Sequence, residues 1–329
     1  MRAILMAGEP VVRDDLPRPE VPPGEALIRL TRAGICNTDI EILRGYRSFR
    51  GVLGHEFVGV VEAFGDTAVL AAPPRVVVGD RVVGEINCVA PESASRDARA
   101  RAQDPMRTTL GIAGRDGCFA DYTVLPVANL HRVPDGVGDD EAVFAEPLAA
   151  ACRILEQVAI APGARVVVLG DGKLGLLCAQ VVAASGPCEV TVVGRHAAKL
   201  DVARGLGIRA ALEAEVGAAA GHAADLVVEC TGSPTGFGLA RHLVRPRGTV
   251  LLKSTFHRRS DVDLTMMVVD EITVVGSRCG PFDVSLRFLD ERRIEVRSLI
   301  HARYPLGQGV EALAHAQRPG VLKVLLDIS

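Results

Sequence analysis

The segment that most constrains this chain is Val166-Val167-Val168-Leu169-Gly170-Asp171-Gly172-Lys173-Leu174-Gly175, followed at once by Leu176-Leu177-Cys178-Ala179-Gln180. A short, mostly β-branched apolar run bounded by glycine reads as a buried parallel strand, and the residues after it favour helix. The three glycines have separate tasks at such a junction. Gly170 permits the tight turn out of the strand, Gly172 leaves no side chain to hold off a pyrophosphate, and Gly175 lets the helix pack close to the sheet. The free amides and positive dipole of the helix start, with Lys173 and Leu174 in its first turn, would then face phosphate groups. By itself a Gly-x-Gly-x-x-Gly run marks only a glycine turn. Its place between a strand and a helix is what makes it a dinucleotide-binding candidate.

The same junction recurs downstream. Strand-like runs at Val166 to Leu169, Glu189 to Val193, Asp225 to Glu229, Thr249 to Lys253 and Ile272 to Val275 alternate with helix-favouring stretches. Alternation of this kind implies right-handed crossovers and a parallel sheet covered on both faces. The Ala- and Gly-rich stretch from Ala210 to Ala224 has the weakest pattern and reads as helix and loop. From Met1 to about Ala145 the chain looks β-rich. Runs such as Ala26-Leu27-Ile28-Arg29-Leu30, Phe57-Val58-Gly59-Val60-Val61-Glu62 and Arg81-Val82-Val83-Gly84-Glu85-Ile86 are split by Gly, Pro and Asp, which suits a compact β-barrel-like domain. Tyr304-Pro305-Leu306 and the closing Lys323-Val324-Leu325-Leu326-Asp327-Ile328 read as elements returning to that first domain. The expected organisation is a first catalytic part over residues 1–147, a dinucleotide domain over 148–276 and a return segment over 277–329.

Composition narrows the function classes. Of 329 residues, 48% are hydrophobic and 23% charged, with a formal net charge of −3. That is an ordinary globular balance, with no basic excess to hold nucleic acid. Trp is absent and aromatics are 4%, so stacking platforms for single strands are not expected either. No run approaches a membrane span, and the apolar residues at the N-terminus are too few for a signal peptide. The eight scattered cysteines therefore read as free or metal-bound thiols in a reducing, cytoplasmic setting.

A second signal lies in the β-rich part. Gly34-Ile35-Cys36-Asn37-Thr38-Asp39 is followed by Gly54-His55-Glu56, and Glu146-Pro147 comes just before the dinucleotide pattern. Thiolate, imidazole and carboxylate are the ligand types that zinc accepts. Each residue has a plain structural account when taken singly: Cys36 as a core thiol, His55 as a turn histidine, Glu146 as an acid favoured by a helix start. Their occurrence together beside a nucleotide fold is what points to a metal centre.

With these motifs in view, the chain resembles the zinc-dependent medium-chain dehydrogenase/reductase superfamily, nearest to its polyol, threonine and sugar dehydrogenases. The likeness also takes in Gly79-Asp80-Arg81-Val82, Glu229-Cys230-Thr231-Gly232 and Lys323-Val324-Leu325. It implies an α/β fold with a GroES-like β-barrel catalytic domain and a Rossmann coenzyme domain built on a doubly wound parallel sheet. It implies that Cys36 and His55 bind catalytic zinc, that Glu56 ligates or sits beside it, and that Glu146 stands where other members use a second cysteine. By the same resemblance Asp39 orients the zinc histidine, and the Thr38 hydroxyl relays the substrate proton. Cys230, Thr231, Lys253 and Ser277 join the glycine loop in the expected cofactor site. Thr255, Arg278 and Cys279 would border the nicotinamide, and Tyr46, Arg47 and Phe49 the substrate.

The chain departs from the family pattern in two places. Most zinc-containing relatives carry a lobe with four cysteines spaced Cys-x2-Cys-x2-Cys-x7-Cys. Here that region reads Asn87-Cys88-Val89-Ala90-Pro91-Glu92-Ser93-Ala94-Ser95-Arg96 and holds only Cys88. One thiolate cannot close a tetrahedral site, so no structural zinc is expected, and Pro91 to Gln103 is expected to be a helix or mobile loop. The other departure concerns the cofactor. Position 194 lies 194 − 170 = 24 residues past the first glycine, close to the spacing of about 20 at which an acid accepts from the ribose 2′-hydroxyl in NAD-binding members. Gly194 stands there, followed by Arg195 and His196. A 2′-phosphate would meet donors and no acid, so NADP is expected over NAD.

The leading expectation is an alcohol or polyol dehydrogenase with one catalytic zinc. It would act on a small, polar, secondary alcohol or ketone and assemble as a homodimer or homotetramer through the edge strand at Ile272 to Val275. Two alternatives stay open at this point. One is a zinc-free enone or quinone reductase of the same superfamily, whose members generally lack the Cys36, His55 and Glu146 set. The other is a non-enzymatic nucleotide-binding protein.

Overall fold

Strand Glu25–Gly34 organises the first half of the molecule. Its ten residues include Ala26, Ile28 and Leu30, which are almost fully buried. Three other strands hydrogen-bond along it: Glu56–Phe64, Tyr122–Pro126 and Lys323–Asp327. Leu130–Arg132 and Arg81–Gly84 extend this seven-stranded sheet on one side, and Ile300–Pro305 ends it on the other. The strands are short and interrupted by register shifts at Leu27/Ile28 and Leu30/Arg32, which bend a sheet as β-bulges do. Each fully buried aliphatic side chain in such a strand contributes about 1.5–3 kcal/mol.

The computed structural model describes residues 1–70, 74–90, 97–216, 221–255 and 262–328. The chain divides into two units. Met1–Glu146, Pro281–Glu291 and Ile300–Ser329 make the first, and Pro147–Gly280 with Arg292–Leu299 makes the second. Within the second unit, Gln180 on helix Lys173–Ser185 donates to the Glu295 carbonyl at 2.9 Å and accepts from the Glu295 amide at 2.8 Å, tying down the Arg292–Leu299 excursion.

The second unit is a six-stranded, all-parallel sheet. Its spatial order is Arg209–Leu212, Glu189–Gly194, Arg165–Leu169, Ala224–Glu229, Val244–Leu252, Thr273–Gly276. This is the 3-2-1-4-5-6 order of the doubly wound dinucleotide fold, in which the crevice opens at the carboxyl end of the first strand. The expectation of helix and loop over Ala210 to Ala224 is corrected here. Arg209–Leu212 is an edge strand and Glu213–Glu215 a short 3-10 turn, while 217–220 lie outside the described residues. Alanine gives no β-branched signal, and parallel pairing with Thr191 to Gly194 overrides weak local propensity. No helix among the described residues is long and apolar enough to cross a membrane.

The segment expected to lack a structural zinc contains helix Ala98–Gln103, and residues 91–96 lie outside the description. Arg101 turns inward from that helix, buried, and its Nη2 donates to Glu85 Oε2 at 2.6 Å. The other Glu85 oxygen lies 2.8 Å from His131 Nε2. Burial pushes the nearby Cys88 thiol up to about 12, so it is held as a neutral thiol. The segment is thus pinned by a buried ion pair. Replacing one partner of such a pair strands the other charge. Arg101→Met is expected to cost about 3–5 kcal/mol of stability, read by urea denaturation. A loss below about 1 kcal/mol would show that the pair is dispensable.

Candidate active site

Two backbone registers assemble the first half of the site. Gly34 pairs with Glu56 across one strand boundary and with Leu325 across the other. Cys36 follows the first strand, His55 precedes the second, and Lys323 opens the third. All three are thereby drawn to the same sheet position. Gly34 is required there by space: a Cβ on it would lie 2.5 Å from Glu56 Oε2 and 3.4 Å from Lys323 Nζ.

Ligand atoms of Cys36, His55 and Glu56 all lie within 4.8 Å of one another. Cys36 also caps helix Asn37–Leu43, where its amide donates to Asp39 Oδ2 at 2.8 Å. The other Asp39 oxygen faces His55 Nδ1 at 3.3 Å. Asp39 therefore ties the helix start and sets its other carboxylate oxygen against the imidazole in an ion-pair contact rather than a hydrogen bond. Thr38 Oγ1 lies 3.8 Å from Cys36 Sγ.

The cluster is largely buried, with Cys36 on its partly exposed side, and rich in acids. Asp39 and Glu56 are fully buried and His55 is nearly so. Buried Lys323 is hydrogen-bonded through Nζ to Glu56 Oε2, and its ammonium lies 5.3 Å from the Phe144 ring centroid. Burial alone would drive Lys323 towards the neutral form, but Glu56, Cys36 and Glu146 around it raise its pKa. Burial likewise works against charge on His55, and the carboxylate of Asp39 with the Cys36 thiol outweighs it, holding the imidazole well above its ordinary value. Burial lifts Glu146 to about 7, with Glu56 and Asp39 adding to the rise and His55 and Lys323 opposing it.

Three carboxylates, Asp39, Glu56 and Glu146, thus share this buried region with one lysine and one titratable histidine. Uncompensated buried charge is costly, and Glu56 Oε1 is buried without a hydrogen-bond partner. The donor set suits a divalent cation, and its thiolate–imidazole–carboxylate chemistry suits zinc. Among the described residues, no second group of three His, Cys or acidic side chains has metal-binding proximity. Glu146 stands outside the tight trio but within its electrostatic reach.

In the second unit, the three loop glycines differ in their surroundings. Gly170 has φ +116°, and a Cβ there would lie 2.6 Å from the Cys230 carbonyl oxygen. At Gly175 a Cβ would lie 2.0 Å from the Gly170 carbonyl oxygen, whereas at Gly172 it would meet nothing within 4 Å. The first two glycines are fixed by the turn and the packing. The third leaves open space before the helix start at Lys173, with Leu174 next in its first turn.

Gly194 ends its strand beside the loop, and Arg195 and His196 are exposed. Arg195 Nε donates to Glu213 Oε2 at 2.7 Å. The amides of Arg195 and His196 both donate to Asp171 Oδ2, each at 2.7 Å. Thr231 is oriented by Glu229 Oε1, which accepts from its amide at 2.8 Å and its hydroxyl at 2.5 Å. Cys230 Sγ lies 3.9 Å from Cys178 Sγ. Lys253 is buried, donates to Ser277 Oγ at 2.7 Å and also bonds the carbonyls of Ala150 and Arg278. Lys253 and Ser277 are thus joined as an internal tie behind the strand ends. Of the outlying expectations, Phe49 is buried, and Arg47 is exposed, its guanidinium 5.6 Å from the Tyr46 ring centroid.

Sequence reasoning missed two residues. Lys323 stood in a closing motif with no role assigned, although a lysine leading the apolar run Val324-Leu325-Leu326 signals a buried, paired charge. Asp171 stands in the glycine run with no role assigned, and nothing local reveals that its carboxylate reaches residues 195 and 196.

Residues 22–135 match the alcohol dehydrogenase GroES-like domain family, and residues 174–291 match the zinc-binding dehydrogenase family. The chain is 31% identical to L-threonine 3-dehydrogenase of Streptomyces avermitilis, over 95% of this chain and 94% of that one. Among solved structures, a putative zinc-binding dehydrogenase from Sinorhizobium meliloti bound to NADP is 25% identical with a TM-score of 0.87, covering 99% of this chain and 98% of that one. A short chain alcohol dehydrogenase from E. coli complexed with NADH is equally similar, at 25% identity and a TM-score of 0.87, over 99% of each chain or nearly so. The two family matches together cover most of the chain and the Streptomyces relative nearly all of it, and the chain belongs to the zinc-dependent medium-chain dehydrogenase/reductase family, in its alcohol and polyol dehydrogenase branch.

Proposed function

We propose that this zinc-dependent oxidoreductase, which moves a hydride between an alcohol or carbonyl carbon and a nicotinamide dinucleotide, acts on small polar secondary alcohols, holds one zinc per chain and prefers NADP(H) to NAD(H). The observation that carries the reading is the trio of half-buried Cys36 with buried His55 and Glu56, within the electrostatic reach of Glu146. A carboxylate-containing donor set is the version the sequence resemblance associates with polyol and amino-alcohol substrates, and the Streptomyces relative bears the name of an enzyme for an amino alcohol.

Cys36, His55 and Glu56 would hold the metal, with Glu146 as the additional carboxylate. A zinc ion bound there supplies Lewis acidity, polarising the substrate oxygen so that an alcohol loses its proton near neutral pH. The chain's own groups do the rest. Asp39 keeps His55 in one tautomer by facing its Nδ1. Lys323 holds Glu56 in place and tempers its charge. Thr38 offers the hydroxyl nearest the thiol, placed to take a substrate proton and pass it on. Phe144, fully buried with its ring centroid 5.3 Å from Lys323 Nζ, lowers the local polarity on the lysine side, which strengthens the Lys323–Glu56 pair.

The NADP preference is supported by Gly194, which brings no acid, and by Arg195. The Arg195–Glu213 pair is exposed, and such pairs are worth about 0–1 kcal/mol, so the guanidinium can turn to a phosphate at little cost. For assembly, the support is the exposure of large apolar side chains at the end of the sheet: Val274 on edge strand Thr273–Gly276, and Leu264, Val268 and Val269 on the helix Leu264–Val269 that precedes it in the chain. We assign this edge to a homodimer contact, with a tetramer compatible. The reducing cytoplasm fits the cysteines, none of which is in a disulfide.

Elemental analysis is expected to give about one zinc per chain. Cys36→Ala should lose that zinc and roughly 10³-fold in kcat/KM for polyols or amino alcohols; undiminished hydride transfer would remove the metal from the chemistry. The pH dependence has a definite sign. In metal-free protein the carboxyl of Glu146 is protonated up to about 7, so its contribution to stability falls as pH rises from the unfolded carboxylate range to about 7. Zinc needs Glu146 ionised and His55 neutral, so the thermal midpoint gained on adding zinc should widen as pH rises through 7. A gap that stays constant would take Glu146 out of the metal's surroundings. For the cofactor, kcat/KM should favour NADP+, and Arg195→Ala should cut that value by about tenfold while leaving NAD+ largely unaffected. A wild-type preference for NAD+ would overturn this part.

A further inference from the structure

The strand-end acid that the sequence lacks at position 194 is supplied in space by another residue. A Cβ built on Gly194 would lie 2.5 Å from both the Asp171 Cβ and its Oδ2. That is about the separation an aspartate's own carboxylate oxygens keep from its Cβ. The Asp171 side chain therefore fills the volume that an acid at 194 would take, which also accounts for glycine there. Its Oδ2 accepts from the amides of Arg195 and His196, and from His196 Nδ1 at 3.0 Å. Among the described residues, Oδ1 meets only His196 Nδ1, at 3.1 Å, and so keeps capacity to accept another hydrogen bond. Helix Ala197–Gly205 begins at this turn with His196 as its N-cap. The amides that an incoming anion would use are thus already taken by an internal carboxylate.

We infer that Asp171 is the specificity-determining acid of this dinucleotide site: it accepts from a ribose 2′-hydroxyl and opposes a 2′-phosphate, so that it holds back the NADP preference contributed by Arg195. The residue sits inside the glycine loop, between the turn glycine and the phosphate-facing one, and so one short loop would serve the pyrophosphate and the ribose together. The inference rests on the reading that a nicotinamide dinucleotide binds at this loop. It is separable from the NADP preference, because the wild-type affinity ratio tests the preference and the change in that ratio on substitution tests Asp171.

The experiment is direct binding, with NADPH and NADH titrated separately into the purified full chain and followed by nicotinamide fluorescence. Asp171→Asn keeps the shape and one acceptor but removes the charge. Its NADPH-to-NADH affinity ratio is expected to rise about five- to tenfold over wild type, the effect of lifting one like charge at close range. The exchange variant D171G/G194D moves the carboxylate to the strand end without the clash, and its ratio is expected to return to near the wild-type value. If D171N binds both nucleotides with the wild-type ratio, Asp171 only ties the turn and the inference falls. Should D171N show no cooperative thermal transition, the exchange variant decides alone: a wild-type ratio supports the inference, and a ratio shifted towards NADPH overturns it.

Discussion

The buried negative charge around Glu56 is the constraint on which the catalytic unit depends. Three carboxylates and a thiol converge where strands Glu25–Gly34, Glu56–Phe64 and Lys323–Asp327 meet, against a single buried lysine and a histidine. Burial of that kind is tolerated only with compensation. Lys323 supplies part of it from the far end of the chain, which makes the C-terminal strand an electrostatic component of the site as well as a sheet partner. The remaining imbalance shows in the raised pKa of Glu146 and in the unpartnered oxygen of Glu56. A dication at the Cys36–His55–Glu56 trio would remove both.

The same logic of internal compensation recurs away from the metal centre. Arg101 is buried on Glu85, so that an ion pair with His131 alongside fastens helix Ala98–Gln103. In the second unit, Asp171 is buried on two amides and an imidazole. Each case places an acid inside, and each acid is satisfied by donors distant in sequence. The consequence for function differs. The Glu85 network holds helix Ala98–Gln103, while the Asp171 network joins the glycine loop to the end of strand Glu189–Gly194.

Much of the fold was legible because its signals are local. The β-branched run and the glycines that follow it dictate strand, turn and helix by local sterics, and the structure gives Gly170 and Gly175 the close contacts that a tight turn and close helix packing require. The Arg209–Leu212 edge strand was not legible, since Ala210 and Ala211 lack the branched side chains that mark a strand and only pairing with Thr191 to Gly194 makes it one. Within the site, Cys36, His55 and Glu56 could be named from ligand chemistry and motif. Their proximity could not, because it depends on register between strands.

By itself, the sequence determined the elements whose physics is nearest-neighbour: the glycine loop, the alternating strand and helix pattern, and the types of donor available to a metal. Only the tertiary structure decided which charges share a buried volume. Lys323 reaches Glu56 across 267 residues, and Asp171 reaches His196 across 25. Electrostatic interactions act through space, and their strength is set by burial and distance. Neither quantity exists until the sheets have closed around them.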